Sequence, residues 1–142
     1  MTVDAPSLLS AGVRSFLSAT PRRYAALATI NPDGTPHQIV VWYLLRGDEI
    51  VVNSRHGRRW PANLRRDGRA SITVYEGEDA VTLDCTLERE YAGNEAQLDI
   101  AEMAWRYDSS ETARDNVARF RSQQRITFVL RPVRAHLHGD PR

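Results

Sequence analysis

The sequence predicts a mainly β protein: a small antiparallel β-barrel of about six or seven strands with helices at its edges. Three observations carry this. Short apolar-rich runs recur along the 142 residues and are separated by Gly, Pro, Asn and Asp turns. The first links between runs are too short for crossover helices, so those neighbours should pair antiparallel. One run, Ala80 to Tyr91, would leave a long row of edge groups unpaired unless the sheet closes or meets a second copy.

Taken in order, Ala5 to Ala19 predicts an amphipathic helix, with Leu8, Leu9, Val13, Phe16 and Leu17 near a 3.6-residue period and Ser7 as its cap. Arg23 to Ile30 predicts a strand. Asn31-Pro32-Asp33-Gly34 is a turn, since proline presets one dihedral and glycine accepts positive φ. Thr35 to Leu45 is a second strand, Arg46-Gly47-Asp48 a turn and Glu49 to Asn53 a third strand, which together read as a meander. Arg58 to Arg66 predicts a helix, with Pro61 tolerated in its first turn and Asp67-Gly68 ending it. Ala70 to Tyr75 and Ala80 to Tyr91 are strands on either side of the turn Glu76–Asp79. Helices follow at Asn94–Tyr107, capped by Asn94, and at Ser110–Arg121. Two late strands, Arg125–Leu130 and Val133–Leu137, are broken at Pro132. No linker or repeat divides the chain, so residues 1–142 read as one domain.

Composition narrows the function. A content of 42% apolar and 26% charged residues fits a soluble globular protein. A net charge of +1 argues against a general nucleic-acid binder. All 19 basic residues are arginines, so any anion meets planar, permanently charged forks. No apolar run is long enough to span a membrane and no signal peptide is legible, so the expected location is the cytoplasm. Cys85 is the one cysteine and reads as a small buried residue. His136 and His138 alternate on the last strand without a third ligand, so no metal is expected.

The charge that exists is local. Ser54 to Arg69 holds six arginines and one acid, directly after a strand. Arg58 and Arg59 fall at the start of the helix, where free backbone N–H groups and the helix dipole favour an anion such as a phosphate. Arg65, Arg66 and Arg69 lie near its C-terminal end, where cations complement the dipole. Trp60 can cover a pocket or anchor the helix. Trp42 and Tyr43 fall on opposite strand faces.

Leu27-Ala28-Thr29-Ile30 with Asp33-Gly34-Thr35-Pro36-His37, then Val41-Trp42-Tyr43, then Gly57-Arg58-Arg59 with Asn63 to Ser71, together resemble the pyridoxamine 5′-phosphate oxidase-like split-barrel superfamily, and within it the branch using the deazaflavin coenzyme F420. The resemblance implies a homodimer of six- or seven-stranded split barrels with cofactor sites between subunits. It makes Ser54, Arg55, Arg58, Arg59 and Asn63 contacts to the cofactor phosphate or tail, and His37, Gln38, Ile39 and Val40 neighbours of its ring. In one respect the sequence departs: the family's phosphate-binding lysine, three residues before the asparagine, is Trp60 here. An indole carries one N–H and no charge, so either Arg58 or Arg59 supplies that contact or the cofactor is bound weakly, differently or not at all.

The activity so implied is hydride transfer from reduced F420 to a small conjugated acceptor. An FMN-dependent oxidoreductase, or a non-catalytic module for an anionic ligand such as a tetrapyrrole, are the alternatives. No catalytic residue is singled out; the proton source is open among solvent, Tyr43 and His37. The absence of a Ser-His-Asp set, a Walker loop or a CxxC pair suits a protein whose cofactor carries the chemistry.

Overall fold

A computed structural model describes residues 2–4, 8–19 and 23–142. Its elements are β1 (Thr2–Asp4), α1 (Ala11–Ser18), β2 (Ala25–Ile30), β3 (Pro36–Val41), β4 (Leu44–Arg46), β5 (Glu49–Arg55), α2 (Arg59–Arg66), β6 (Arg69–Glu76), β7 (Asp79–Ala92), α3 (Asn94–Tyr107), α4 (Ser110–Phe120) and β8 (Arg125–His138). The strands form one antiparallel sheet in the order β3-β2-β6-β7-β8-β5-β4, with β1 added to β8. The fold is a split β-barrel with four helices.

The expected meander is corrected by this order. β2 pairs with β3 and β4 with β5, but the two hairpins lie at opposite ends of the sheet. Only Trp42 and Tyr43 separate β3 from β4. The chain therefore steps from one end strand to the other within two residues, which requires the sheet to curl until its ends approach. Tyr43 pins this step: it is fully buried, and its hydroxyl donates to the Leu17 carbonyl at 2.5 Å. Its backbone N–H reaches the Tyr107 hydroxyl at 3.4 Å. Trp42 stacks on the Tyr107 ring, 5.4 Å between centroids and 4° from parallel.

The barrel interior is filled by alternate residues, Leu27, Val52, Ile72, Leu83, Phe128 and Leu130 among them, with Phe16 and Leu17 of α1 against them. β5 is buried on both faces. Ile50 and Val52 face the barrel, while Val51 packs with Leu44 against Ile100, Met103 and Ala104 of α3 and Ala113 and Phe120 of α4. The α3–α4 pair is thus seated over the β4–β5 end of the sheet.

Three boundaries differ from expectation. α1 begins at Ala11, capped by Ser10, whose hydroxyl accepts from the Val13 N–H at 3.2 Å; Ser7 lies outside the described residues. Gly93, not Asn94, precedes α3, with φ +76. The two late strands are one. Cys85 opposes Pro132 and Asp84 opposes Arg134, so Val133 is an extra residue at a bulge. A bulge takes up a proline that cannot donate to the ladder. Cys85 is buried as expected, and desolvation pushes its thiol up to about 12.

Candidate functional site

The local chemistry of the β5–α2 junction sets the site. Gly57, with φ +95, turns the chain between them. Arg58 is the extended residue before α2, and Pro61 occupies its third position, where no intrahelical N–H is required. The helix buries Trp60, Pro61, Asn63 and Leu64. Trp60 meets Phe128 edge-on at 5.4 Å and is 3% exposed, which makes it an anchor of the core. The arginines at its far end are engaged within the chain: Arg65 pairs with Glu90, Arg69 with Asp67, and Arg66 donates to the Ile30 carbonyl and to Asn63.

The other face of this junction opens on a cleft of about 390 Å³. Ile39, Val40 and Val41 of β3, with Trp42, form one wall, and Ile100, Met103 and Phe120 of α3 and α4 form another. Asn53, Arg55, Arg58, Arg119, Gln123 and Arg125 supply its polar lining, and no Asp or Glu lines it. A cleft of this size with an apolar wall and convergent polar groups can hold a small ligand, and here the polar groups predominate.

Its charge is uncompensated. Several arginines elsewhere meet acids: Arg23 with Glu76, Arg46 with Asp99 and Glu102, Arg89 with Glu49, Arg131 with Glu88. In the cleft they do not. Among the described residues the guanidinium groups of Arg55 and Arg58 have no hydrogen-bond or ion-pair partner. Arg119 donates only to Asn116, at 2.8 Å, and stacks on Phe120. Arg125 is 9% exposed and donates to Asn53 Oδ1 at 2.9 Å and Gln123 Oε1 at 2.8 Å. Burial, then the charges of Arg58, Arg55 and Arg119, pull its guanidinium down to about 10.

Of the positions brought forward by the sequence, Ile39, Val40, Arg55, Arg58 and Trp60 line this cleft. His37 and Gln38 are not among its lining residues. Ser54 points inward, 2% exposed, its hydroxyl donating to the Arg55 carbonyl at 3.2 Å. Arg59 instead borders a separate groove with Asn31, Asp33 and Arg66. Asn63 is spent on structure: buried, it donates to Thr29 Oγ1 at 3.0 Å and to Asn31 Oδ1 at 3.1 Å. Tyr43 also lies outside the cleft lining, and burial pushes its phenol up to about 12. Arg119, Gln123, Arg125 and Asn53 were not foreseen: the pairing of β5 with β8 sets Arg125 opposite Arg55, and the packing of α4 and the turn after it brings in Arg119 and Gln123. His136, noted for its spacing, binds Asp84 at 2.9 Å on the barrel surface.

A split barrel with an arginine-lined cleft beside its strand-to-helix junction defines the class. The family model for pyridoxamine 5′-phosphate oxidase matches residues 10–138, and the chain belongs to that family. No curated protein matches it. Among solved structures it is similar to a conserved hypothetical protein from Mycobacterium tuberculosis, at 20% identity over 97% of this chain and 90% of that one, with a TM-score of 0.74. An F420 reductase aligns at 18% identity over 80% and 89% of the two chains, TM-score 0.65. The heme storage protein HutZ from Vibrio cholerae aligns at 19% identity over 94% and 96%, also with a TM-score of 0.65. No helix among the described residues is long and apolar enough to cross a membrane.

Proposed function

We propose that this protein is an F420-dependent oxidoreductase that reduces a small conjugated acceptor. The observation that carries the reading is the set of four cleft arginines with no carboxylate among them, set against an apolar, aromatic wall. Such a site is built for a flat ring joined to a multiply anionic tail. The fold of an F420 reductase supports the same choice.

When bound, the coenzyme would supply a hydride donor in its deazaflavin ring. The chain's own residues bind and orient it. Arg58 and Arg125, with Arg55 and Arg119 beside them, would hold the phosphodiester and acidic tail through charge-assisted bonds. This arrangement replaces the family lysine, whose position Trp60 fills with a buried ring. Ile39, Val40 and Trp42 flank the ring and exclude water from one side. With His37 and Tyr43 both outside the cleft lining, solvent delivers the proton. The open side of the cleft is completed by a second copy of the chain, in a homodimer.

Titration of the purified protein with F420 and, separately, FMN tests the reading. Replacing Arg58 and Arg125 together by alanine should raise the F420 dissociation constant by about tenfold or more, while Arg59→Ala leaves it within about twofold. Tight FMN binding alone would transfer the protein to the flavin alternative. Binding of neither, with uptake of a tetrapyrrole, would favour a non-catalytic module, although no histidine lines this cleft to ligate its metal.

A further inference from the structure

Arg125 is buried and still meets no acid. Its Nε–H donates to Asn53 Oδ1 at 2.9 Å. The Asn53 amide then donates to Thr127 Oγ1 and to the Ala96 carbonyl, both at 3.0 Å. The Thr127 hydroxyl donates to Asp99 Oδ2 at 2.7 Å. Asp99 is 4% exposed; Tyr91 donates to the same oxygen at 2.6 Å, and Arg46 holds the other at 2.7 Å. One line of donors thus runs from the guanidinium through Asn53 and Thr127 to the Asp99 carboxylate. Such aligned bonds polarise each other in a low-dielectric interior. Gln123 grips Arg125 from the other side, and its own carbonyl is tied by Gln97 at 2.8 Å.

The residue type at position 53 matters. A carboxylate there would pair with Arg125 directly and cancel its charge. An amide fixes the guanidinium and leaves its charge available. The amide's own orientation is set by its two acceptors, Thr127 and the Ala96 carbonyl, so Oδ1 faces Arg125. We propose that Asn53 is a positioning residue that, anchored through Thr127 to Asp99, holds Arg125 as an uncompensated cation for a phosphate-bearing ligand. The inference rests on the reading of this cleft as an anion site and not on which coenzyme occupies it.

Inorganic pyrophosphate, a compact polyanion, is the probe, with binding to the full chain followed by calorimetry and F420 and FMN titrated in parallel. Asn53→Asp should raise the pyrophosphate dissociation constant by about tenfold or more, since an ion pair now occupies Arg125. Thr127→Val, which keeps the volume but deletes the hydroxyl, should raise it by about fivefold, and Thr127→Ser should return it to within about twofold of wild type. A purely structural role would let Val and Ser differ in melting temperature but not in affinity. Should Asn53→Asp not fold, the Thr127 pair decides. Folded Thr127→Val with wild-type affinity overturns the inference, as does a wild-type protein that binds no pyrophosphate. Wild type that binds pyrophosphate but neither F420 nor FMN overturns the coenzyme reading alone, and the variants are then judged on pyrophosphate.

Discussion

Arg125 carries a cost at rest. Its guanidinium is held down to about 10 by burial and by three neighbouring arginines. The sign follows from linkage: the folded protein binds this proton less tightly than the unfolded chain does. Stability is therefore reduced at every pH below about 10 and recovers only as the pH rises through that value. A buried charge lacking a counter-ion is a common case in which an apolar replacement of similar volume stabilises. Arg125→Met, whose side chain can lie on the Phe120 ring as the guanidinium now does at 4.8 Å, should raise the melting temperature of the ligand-free protein by about 3 °C or more. The same variant should lose the stabilisation that pyrophosphate gives to wild type. Thermal denaturation at neutral pH, with and without pyrophosphate, checks both. A melting temperature lower than wild type would mean that the bonds to Asn53 and Gln123 outweigh the charge repulsion.

At the scale of elements, α2 shows how a family position can change its task. Trp60 is buried against Phe128, and where its ring borders the cleft it brings no charge, so the cationic lining at this helix comes from Arg58. Trp60→Lys, which restores the family residue, should destabilise the protein by about 3–5 kcal/mol, the range for removing a large aromatic from a core. It should not tighten F420 binding. Urea denaturation and the F420 titration measure the two effects; a stable variant with tighter binding would show that the helix can turn its second residue outward. The sequence exposed this helix, and α3 at Asn94–Tyr107, because periodicity and turn residues act within a few positions, although neither helix has a side-chain N-cap. It also exposed most strands, but not β1, and it ran β3 and β4 together as one strand over Thr35–Leu45. It did not expose which strands meet. The pattern of β3, β4 and β5 is equally consistent with a meander, and only the burial of Tyr43 between Leu17 and Tyr107 sends the chain to the far end of the sheet. For the same reason half of the cleft was hidden. Arg55 and Arg58 were legible as a local excess of charge, whereas Arg125 joins them from 70 residues away by register alone.

At the scale of the whole molecule, the cleft is incomplete as one chain presents it. Val40 lines the cleft on the end strand β3 and is 71% exposed, and among the described residues no strand pairs with the outer edge of β3. An apolar side chain on a bare strand edge invites pairing with another chain unless it is managed. The near balance of charge, +1 overall, puts little long-range repulsion between two copies. The proposed homodimer would place this edge between subunits, so that assembly and coenzyme binding depend on the same surface. Val40→Arg should then shift the protein from dimer toward monomer in analytical ultracentrifugation and weaken F420 binding by about tenfold, by removing one wall of the ring site. The added positive charge by itself would favour the anionic tail, so loss of affinity reports on the apolar wall and its assembly and not on electrostatics, and the sedimentation result separates those two. A protein that is monomeric before substitution, or a Val40→Arg dimer with unaltered affinity, would detach the coenzyme site from the subunit interface and leave the four arginines of a single chain to hold the ligand unaided.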